Sequence, residues 1–299
     1  ICLAFNKKIY IAPAMNPDMW NNKVCQASIK KLIQAEIEII GPNYGTHACG
    51  DIGYGRMTNP EQIIETLKLH SQTSHLSGSK ILVTAGPTRE PIDPVRFMSN
   101  YSSGKMGYEI ALAAKNMGAS VKLISGPVSL KSIKDVETEY VETSEEMFNA
   151  VMSNADNFDI LISTAAIADY KPKDYSKSKY KKNENDITIK FTRGADIISA
   201  ASKKNNNIYT VGFAAETEAL EKNAQAKLIK KNLDMIVGNI ANHELKLGFE
   251  SDFNEVIIVT RDKIQKIAKA KKSDIAASIL QAVSAEYSLK IKVVNKDVR

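Results

Sequence analysis

Cysteine is scarce in this sequence: Cys2, Cys25 and Cys49 are the only three among 299 residues. Their number is odd and no CxxC occurs, which argues against a disulfide scaffold or a zinc site and points to a reducing cytoplasm. No apolar run approaches the ~18 residues of a membrane span, so no membrane partner is expected. No basic segment with an apolar stretch and a small-residue cleavage site follows Ile1, so the start is not a signal peptide. It reads instead as a cut, with the natural chain extending further on the amino side. Aromatics are 7% of residues, and neither lysine-rich run has the interleaved aromatics of a single-strand binder. With a net charge of only +6, nucleic acid is not an expected partner. GxGxxG and GxxxxGK[ST] are both missing. The remaining composition, 43% hydrophobic and 25% charged, is that of a globular protein, and the length suggests two domains.

What is present is alternation. From Lys80 onward, strand patterns at Ile81–Thr84, Val121–Ile124, Asp159–Ser163, Tyr209–Phe213 and Met235–Val237 alternate with helical ones. The helices are expected at Met106–Met117, Ser144–Ala155, Asp196–Lys203 and Glu218–Lys231. This predicts an α/β domain: a parallel sheet with helices on both faces. Glu255–Thr260 is expected as an antiparallel strand at the sheet edge, and Lys263–Lys272 as a solvated charged face. The first seventy residues carry strands at Ile1–Phe5, Lys8–Ala12 and Glu38–Ile40 and a helix at Val24–Glu36. After a Gly-rich segment (Gly41–Met57) comes a helix to His70 that Asn59 caps and Pro60 opens. Ser71–Ser79 reads as a linker, dividing the chain into 1–70, 71–79 and 80–299.

Four segments carry candidate chemistry. In the long loop Ala85–Gly107, Ser102, Ser103 and Gly104 stand just before a helix, where hydroxyls and free N–H groups suit an anion. It is not a P-loop: Ser99 stands where glycine is needed, and Met106 follows Lys105. A second strand ends in Ser163, Thr164, Ala165 and Ala166, small enough for a ligand to approach the backbone. Asp169 then offers a carboxylate to sugar hydroxyls or a metal. Lys171–Lys182 follows; alone it is a solvated charge run, but here it suits a mobile cationic loop closing over a polyphosphate. Third, Val211–Thr217 leads into a helix whose Lys227 and Lys231 share one face. Fourth, Asn16 occupies a turn, and Cys49 lies in a flap-like glycine loop, His47–Met57. His47 and Cys49 are too few to hold a metal, and a lone cysteine also reads as a small buried hydrophobe.

The segments PAMNPDMW, ACGDIGYGRM, VTAGPTREPIDPVRFMSNYSSGKMG, AAIADYKP, VGFAAET and KKNLDMIVGN together resemble one family, in its order and over essentially the whole chain. It is the bifunctional phosphopantothenoylcysteine decarboxylase / phosphopantothenate–cysteine ligase family of coenzyme A biosynthesis. The resemblance implies a C-terminal Rossmann-like ligase domain preceded by the C-terminal part of a flavodoxin-like, FMN-dependent decarboxylase domain. The implied ligase uses CTP and Mg²⁺ to activate 4′-phosphopantothenate as an acyl-cytidylate, which cysteine then attacks. Carried to matching positions, Asn100 contacts the acyl-nucleotidylate, while Ser163, Thr164, Ala165 and Asp169 hold the nucleotide. Lys179 is the implied catalytic cation of the mobile loop. Ala195, Asp196, Ile197, Ile198, Phe213, Lys227 and Lys231 complete the nucleotide site. Gly194–Ile197 replaces the family's Asn-Pro-Asp-Ile, so a less rigid turn is expected there.

In the decarboxylase half the resemblance gives Asn16 the substrate carboxylate, and gives Cys49 the protonation of the intermediate. Most FMN contacts and the histidine base are implied ahead of Ile1, since none of His47, His70, His75 and His243 sits in the matching motif. This chain is therefore expected to lack decarboxylase activity that the full-length protein has. The resemblance further implies a cytoplasmic homo-oligomer; metal ligands are not indicated. Two other readings compete. An NAD(P)-dependent oxidoreductase would share the alternation, but GxGxxG and an acidic ribose ligand are missing. A non-enzymatic binding or regulatory subunit is disfavoured by the presence of Cys49 and the ligase lysines.

Overall fold

The structure, a computed structural model, describes residues 9–35, 37–71, 76–181, 187–216, 218–240 and 251–297. The strand expected at Ile1–Phe5 lies outside them, as do Cys2, His75, Lys182 and His243. The chain forms two compact units, Ile1–Thr73 and Ser74–Arg299.

In the first unit, β1 (Tyr10–Ile11) pairs in parallel with β2 (Glu38–Ile39). The crossover between them carries α1 (Pro17–Asn21) and α2 (Lys23–Gln34). Local chemistry starts both helices. Asn16 Oδ1 accepts the Met19 N–H at 2.8 Å with Pro17 at the first helical position, and Asn22 Oδ1 accepts the Val24 N–H. An antiparallel hairpin follows, β3 (Asn43–Thr46) with β4 (Ile52–Arg56), and then α3 (Pro60–Ser71).

The second unit opens with β5 (Lys80–Ala85), the hairpin β6 (Glu90–Pro91) and β7 (Phe97–Met98), and α4 (Lys105–Asn116). Next come β8 (Ser120–Ser125), β9 (Glu137–Tyr140), α5 (Ser144–Asn154) and β10 (Ile160–Ser163). An antiparallel arm, β11 (Tyr170–Pro172) with β12 (Phe191–Arg193), precedes α6 (Ile197–Lys204). The chain continues through β13 (Tyr209–Glu216), α7 (Leu220–Lys230), β14 (Met235–Ile240), β15 (Phe253–Val259), β16 (Ile264–Lys271) and α8 (Lys272–Asp297). The main sheet has the order β16-β15-β14-β13-β10-β5-β8-β9. It is parallel from β14 to β9 and antiparallel at β15 and β16.

Alternation along the strands sends side chains to two cores. Ile81, Val83, Ile160, Ile162, Val211 and Val237 pack on one face under α4 and α8. Leu82, Leu161, Ala214 and Ile236 pack on the other under α5, α6 and α7. Helices cover both faces, in line with the α/β expectation. Thr143 and Glu146 form a reciprocal capping box that starts α5.

Two expectations change. Glu255–Thr260 is antiparallel but is not the edge, because Lys263–Lys272 supplies β16 outside it and the first residue of α8. Lysines on an outermost strand discourage pairing with other chains, and their density hides the strand pattern. Of the stretch read as a linker, Ser71 belongs to α3 and 72–75 lie outside the described residues. Leu76 is fully buried in the α4–α8 core.

Candidate active site

Successive strands step outward from β5 to β8 and β9, then return to the opposite side with β10, β13 and β14. The chain thus reverses direction between β5 and β10. Connections leaving the carboxyl ends of these two strands diverge, which opens a crevice in sheets of this kind. Here it is a cleft of about 630 Å³.

Its floor is the segment after β10. Thr164 donates from both N–H (3.2 Å) and Oγ1 (2.6 Å) to the Thr84 carbonyl, and Ala165 N–H donates to Thr84 Oγ1 at 3.3 Å. Ala166 N–H reaches the Gly86 carbonyl at 2.9 Å. The strand-end backbone is thereby pinned along the cleft. The start of α4 passes close by: a Cβ on Gly107 would come within 2.4 Å of Thr164 Oγ1 and 2.6 Å of Ala85 Cβ, so only glycine fits there. Asn100 sits just outside the lining. Its Nδ2 donates to the Ala166 carbonyl and its Oδ1 accepts the Ser102 N–H at 3.0 Å.

The opposite wall comes from α6 and α7. Asp196 caps α6 by accepting the Ser199 N–H and pairs with Lys231 Nζ at 3.0 Å. Burial pushes the Asp196 carboxyl up, but Lys231 and Ser199 outweigh it and hold it below the usual carboxylate range. Gly194 N–H donates to the Asp169 carbonyl at 2.8 Å, so the Gly194–Ile197 turn is tied at both ends. Lys227 Nζ lies 2.5 Å from Glu216 Oε1. Ser163, Thr164, Ala165, Asp169, Ala195, Asp196, Ile197, Ile198, Phe213, Lys227 and Lys231 all line this one cleft.

Lys179 does not. It is exposed on the loop beyond β11, and that loop is fastened to the β6–β7 turn. Tyr180 N–H donates to Asp93 Oδ2 at 3.1 Å, Arg96 Nη2 donates to the Tyr180 carbonyl at 2.6 Å, and Ser176 N–H donates to the Ile92 carbonyl.

In the first unit, Asn16 caps α1 and the β3–β4 hairpin lies against it. A Cβ on Gly53 would be 2.8 Å from Pro17, and Met15 N–H donates to the Gly55 carbonyl at 2.9 Å. Cys49 is exposed at the hairpin tip, its Sγ 3.3 Å from Asp51 Oδ2.

Comparison with known proteins decides what this arrangement belongs to. The DNA/pantothenate metabolism flavoprotein C-terminal domain matches residues 76–287, and the flavoprotein family matches residues 2–70. The coenzyme A biosynthesis bifunctional protein CoaBC of Haemophilus influenzae is 41% identical over 96% of this chain and 72% of its own length. The chain belongs to the CoaBC family. The Bacillus subtilis CoaBC is likewise 41% identical, over 95% of this chain and 71% of its own. A crystal structure of a CoaBC C-terminal domain is 39% identical with a TM-score of 0.61, covering 71% of this chain and 97% of that one. Membership places the chain among the bifunctional enzymes of coenzyme A biosynthesis, a family with ligase and decarboxylase activities. The oxidoreductase and non-enzymatic readings are not favoured.

The cleft also holds residues to which the sequence analysis gave no role. Asn239, the last residue of KKNLDMIVGN, and the buried Asn254 line it, as does Lys272. Lys272 was hidden among neighbouring lysines, and β14, β15 and α8 bring the three together only in the folded sheet.

Proposed function

We propose that the cleft of the second unit joins 4′-phosphopantothenate to cysteine at the expense of CTP. The observation that carries this is the convergence of eleven nominated residues on one cleft at the strand reversal. In the proposed reaction the pantothenate carboxylate attacks the α-phosphorus, pyrophosphate leaves, and an acyl-cytidylate forms. The cysteine amine then attacks the acyl carbon, loses a proton and expels CMP. Such chemistry needs alignment and positive charge more than a protein nucleophile. The pinned backbone after β10 and the α6 turn hold the nucleotide, Asp169 meets the sugar, and Asn100 holds the acyl group. Lys179 supplies charge when its loop comes over the phosphates. Among the described residues no cluster of three His, Cys, Asp or Glu side chains could hold a metal. Mg²⁺ therefore fits as a companion of the CTP phosphates, the usual habit of that ion.

For the first unit we propose the decarboxylation of the ligated product with FMN as the flavin; FMN would oxidise the cysteinyl moiety. No flavin contact is assigned to a described residue. The Asn16 amide, its oxygen already engaged in capping, offers N–H donors to the substrate carboxylate. Cys49 Sγ stands 3.3 Å from Asp51 Oδ2 at the exposed hairpin tip, within reach of a substrate laid against the hairpin. We place the protein in the cytoplasm as a homo-oligomer. No helix among the described residues is long and apolar enough to cross a membrane.

Pyrophosphate release by the 299-residue chain tests the ligase. With 4′-phosphopantothenate and Mg²⁺, release should depend on CTP and turn over only with cysteine. Lys179→Gln should lower kcat by about 10²–10³. A folded chain that releases no pyrophosphate overturns the proposal.

A further inference from the structure

Thr88 stands in the loop after β5 and is fully buried, and it is not part of the cleft lining. Beyond β5 and β10 the two segments keep parallel pairing a little longer, as a bridge between Pro87 and Ala166. Ala166 N–H donates to the Gly86 carbonyl at 2.9 Å, and Thr88 N–H donates to the Ala166 carbonyl at 3.3 Å. Carried one step further, a parallel ladder would bond Ala168 N–H to the Thr88 carbonyl. Here Ala168 N–H donates instead to Thr88 Oγ1 at 3.1 Å. The Thr88 carbonyl is thereby left open to the Ser99 hydroxyl, which donates to it at 2.8 Å.

These bonds converge on Asn100. Ser99 is its chain neighbour, so the bond to the Thr88 carbonyl fixes the backbone beside it. Asn100 Nδ2 donates to the Ala166 carbonyl, the oxygen that also accepts Thr88 N–H, and both lone pairs of that oxygen are then in use. Asn100 Oδ1 accepts the Ser102 N–H at 3.0 Å. The amide is held at both of its ends, and Thr88 is the residue that ties the cleft floor to the loop carrying it. A valine would fill the same space and keep the N–H and carbonyl bonds of residue 88. Burying a hydroxyl in its place is costly unless that hydroxyl is bonded, so the Ala168 bond is what the threonine adds.

We propose that Thr88 is a positioning residue of the ligase, its side-chain oxygen keeping the Asn100 amide aimed at the acyl group. This rests on the ligase reading of the cleft. Thr88 touches no ligand and acts through Asn100. Without Oγ1, Ala168 N–H turns to the Thr88 carbonyl, the ladder continues, and the Ser99 hydroxyl is displaced from its acceptor. Asn100 then shifts with its neighbour, and a misplacement of ~1 Å near the reacting atoms costs about a hundredfold in rate.

Steady-state pyrophosphate release by the 299-residue chain, with NMR of the Asn100 side-chain amide, tests this. Thr88→Val should lower kcat about 10–100-fold and change the KM for CTP far less. Thr88→Ser keeps the hydroxyl and should restore most of kcat. Ser99→Ala, at an exposed residue, should also lower kcat and serves if the Val variant does not fold. In an Asn100→Ala background Thr88→Val should slow the reaction no further, because the two residues act as a unit. A folded Val variant with unchanged kcat overturns the proposal, as does a loss that multiplies fully with that of Asn100→Ala. The Asn100 amide signals report the hold without turnover; they should move in Thr88→Val and stay in place in Thr88→Ser. A wild-type chain that releases no pyrophosphate, while those signals still respond to Thr88→Val, sinks the ligase reading and leaves the hold on Asn100 standing.

Discussion

Asp93 is a buried carboxylate that accepts three backbone N–H groups: Val95 at 2.8 Å, Arg96 at 2.9 Å and Tyr180 at 3.1 Å. Burial pushes its pKa up, but these bonds and the Arg96 guanidinium outweigh burial and hold it below its ordinary 3.8. The Tyr180 bond ties the lysine loop to the β6–β7 turn, one residue from Lys179. Asp93→Ala should accelerate tryptic cleavage around Lys177–Lys181 severalfold and lower the ligase kcat, with little change in the KM for CTP. The folded pKa is depressed, so this contribution is present above the unfolded value and is lost as pH falls through the folded one. Hydrogen exchange should accordingly find the Tyr180 amide protected from pH 8 down to about 4, opening only below 3.8. Unprotected exchange at pH 7 would count against the latch. Asp93 stands in a recognisable motif, yet its role was not legible there, because Tyr180 lies 87 residues away.

At the scale of elements, α8 is held to the amino ends of β13 and β14 by a polar tie. Lys290 Nζ lies 3.0 Å from Asp234 Oδ1, and Asp234 Oδ2 accepts the buried Thr210 N–H at 2.8 Å. Asp234→Ala leaves that N–H without its acceptor and should cost about 1–3 kcal/mol. For a unit of this size that is a loss of several degrees in Tm, measurable by calorimetry. Asp234→Asn keeps an oxygen acceptor and should cost less; equal losses would refute the hydrogen-bond account. Helices α4 to α7 and the central strands were visible in the sequence, since fully buried strands are short apolar runs and α5 carries its own capping box, whereas α8, 26 residues long, was not. The short strands β9, β11 and β12 and the lysine-rich β16 were not. Their residues are mostly exposed, and pairing partners far along the chain, not periodicity, make them strands.

At the scale of the whole molecule, the strand reversal between β5 and β10 is what places 102–107, 163–170, 193–199 and the lysines Lys227, Lys230 and Lys231 around one cleft. A ligand gripped by so many separate segments stabilises the fold that assembles them. At a hundredfold excess over its Kd, CTP should add about 2.7 kcal/mol to the second unit. A thermal melt should therefore shift upward with CTP and stay in place with NADPH. A shift with NADPH alone would return the oxidoreductase reading.

The sequence by itself determined the α/β class, the order of the central strands β5, β8, β10, β13 and β14 and of the helices α4 to α7 that cover them, and the family, because apolar periodicity and long local motifs are properties of contiguous residues. It also determined which small residues end β10, since their size alone permits close approach. Only the tertiary structure decided that Lys179 sits off the cleft, that Asp93 fastens its loop, and that Lys272 is buried while its neighbouring lysines are solvated. Each depends on which distant segment lies beside which, and that is settled by packing the two cores against the sheet rather than by any local preference.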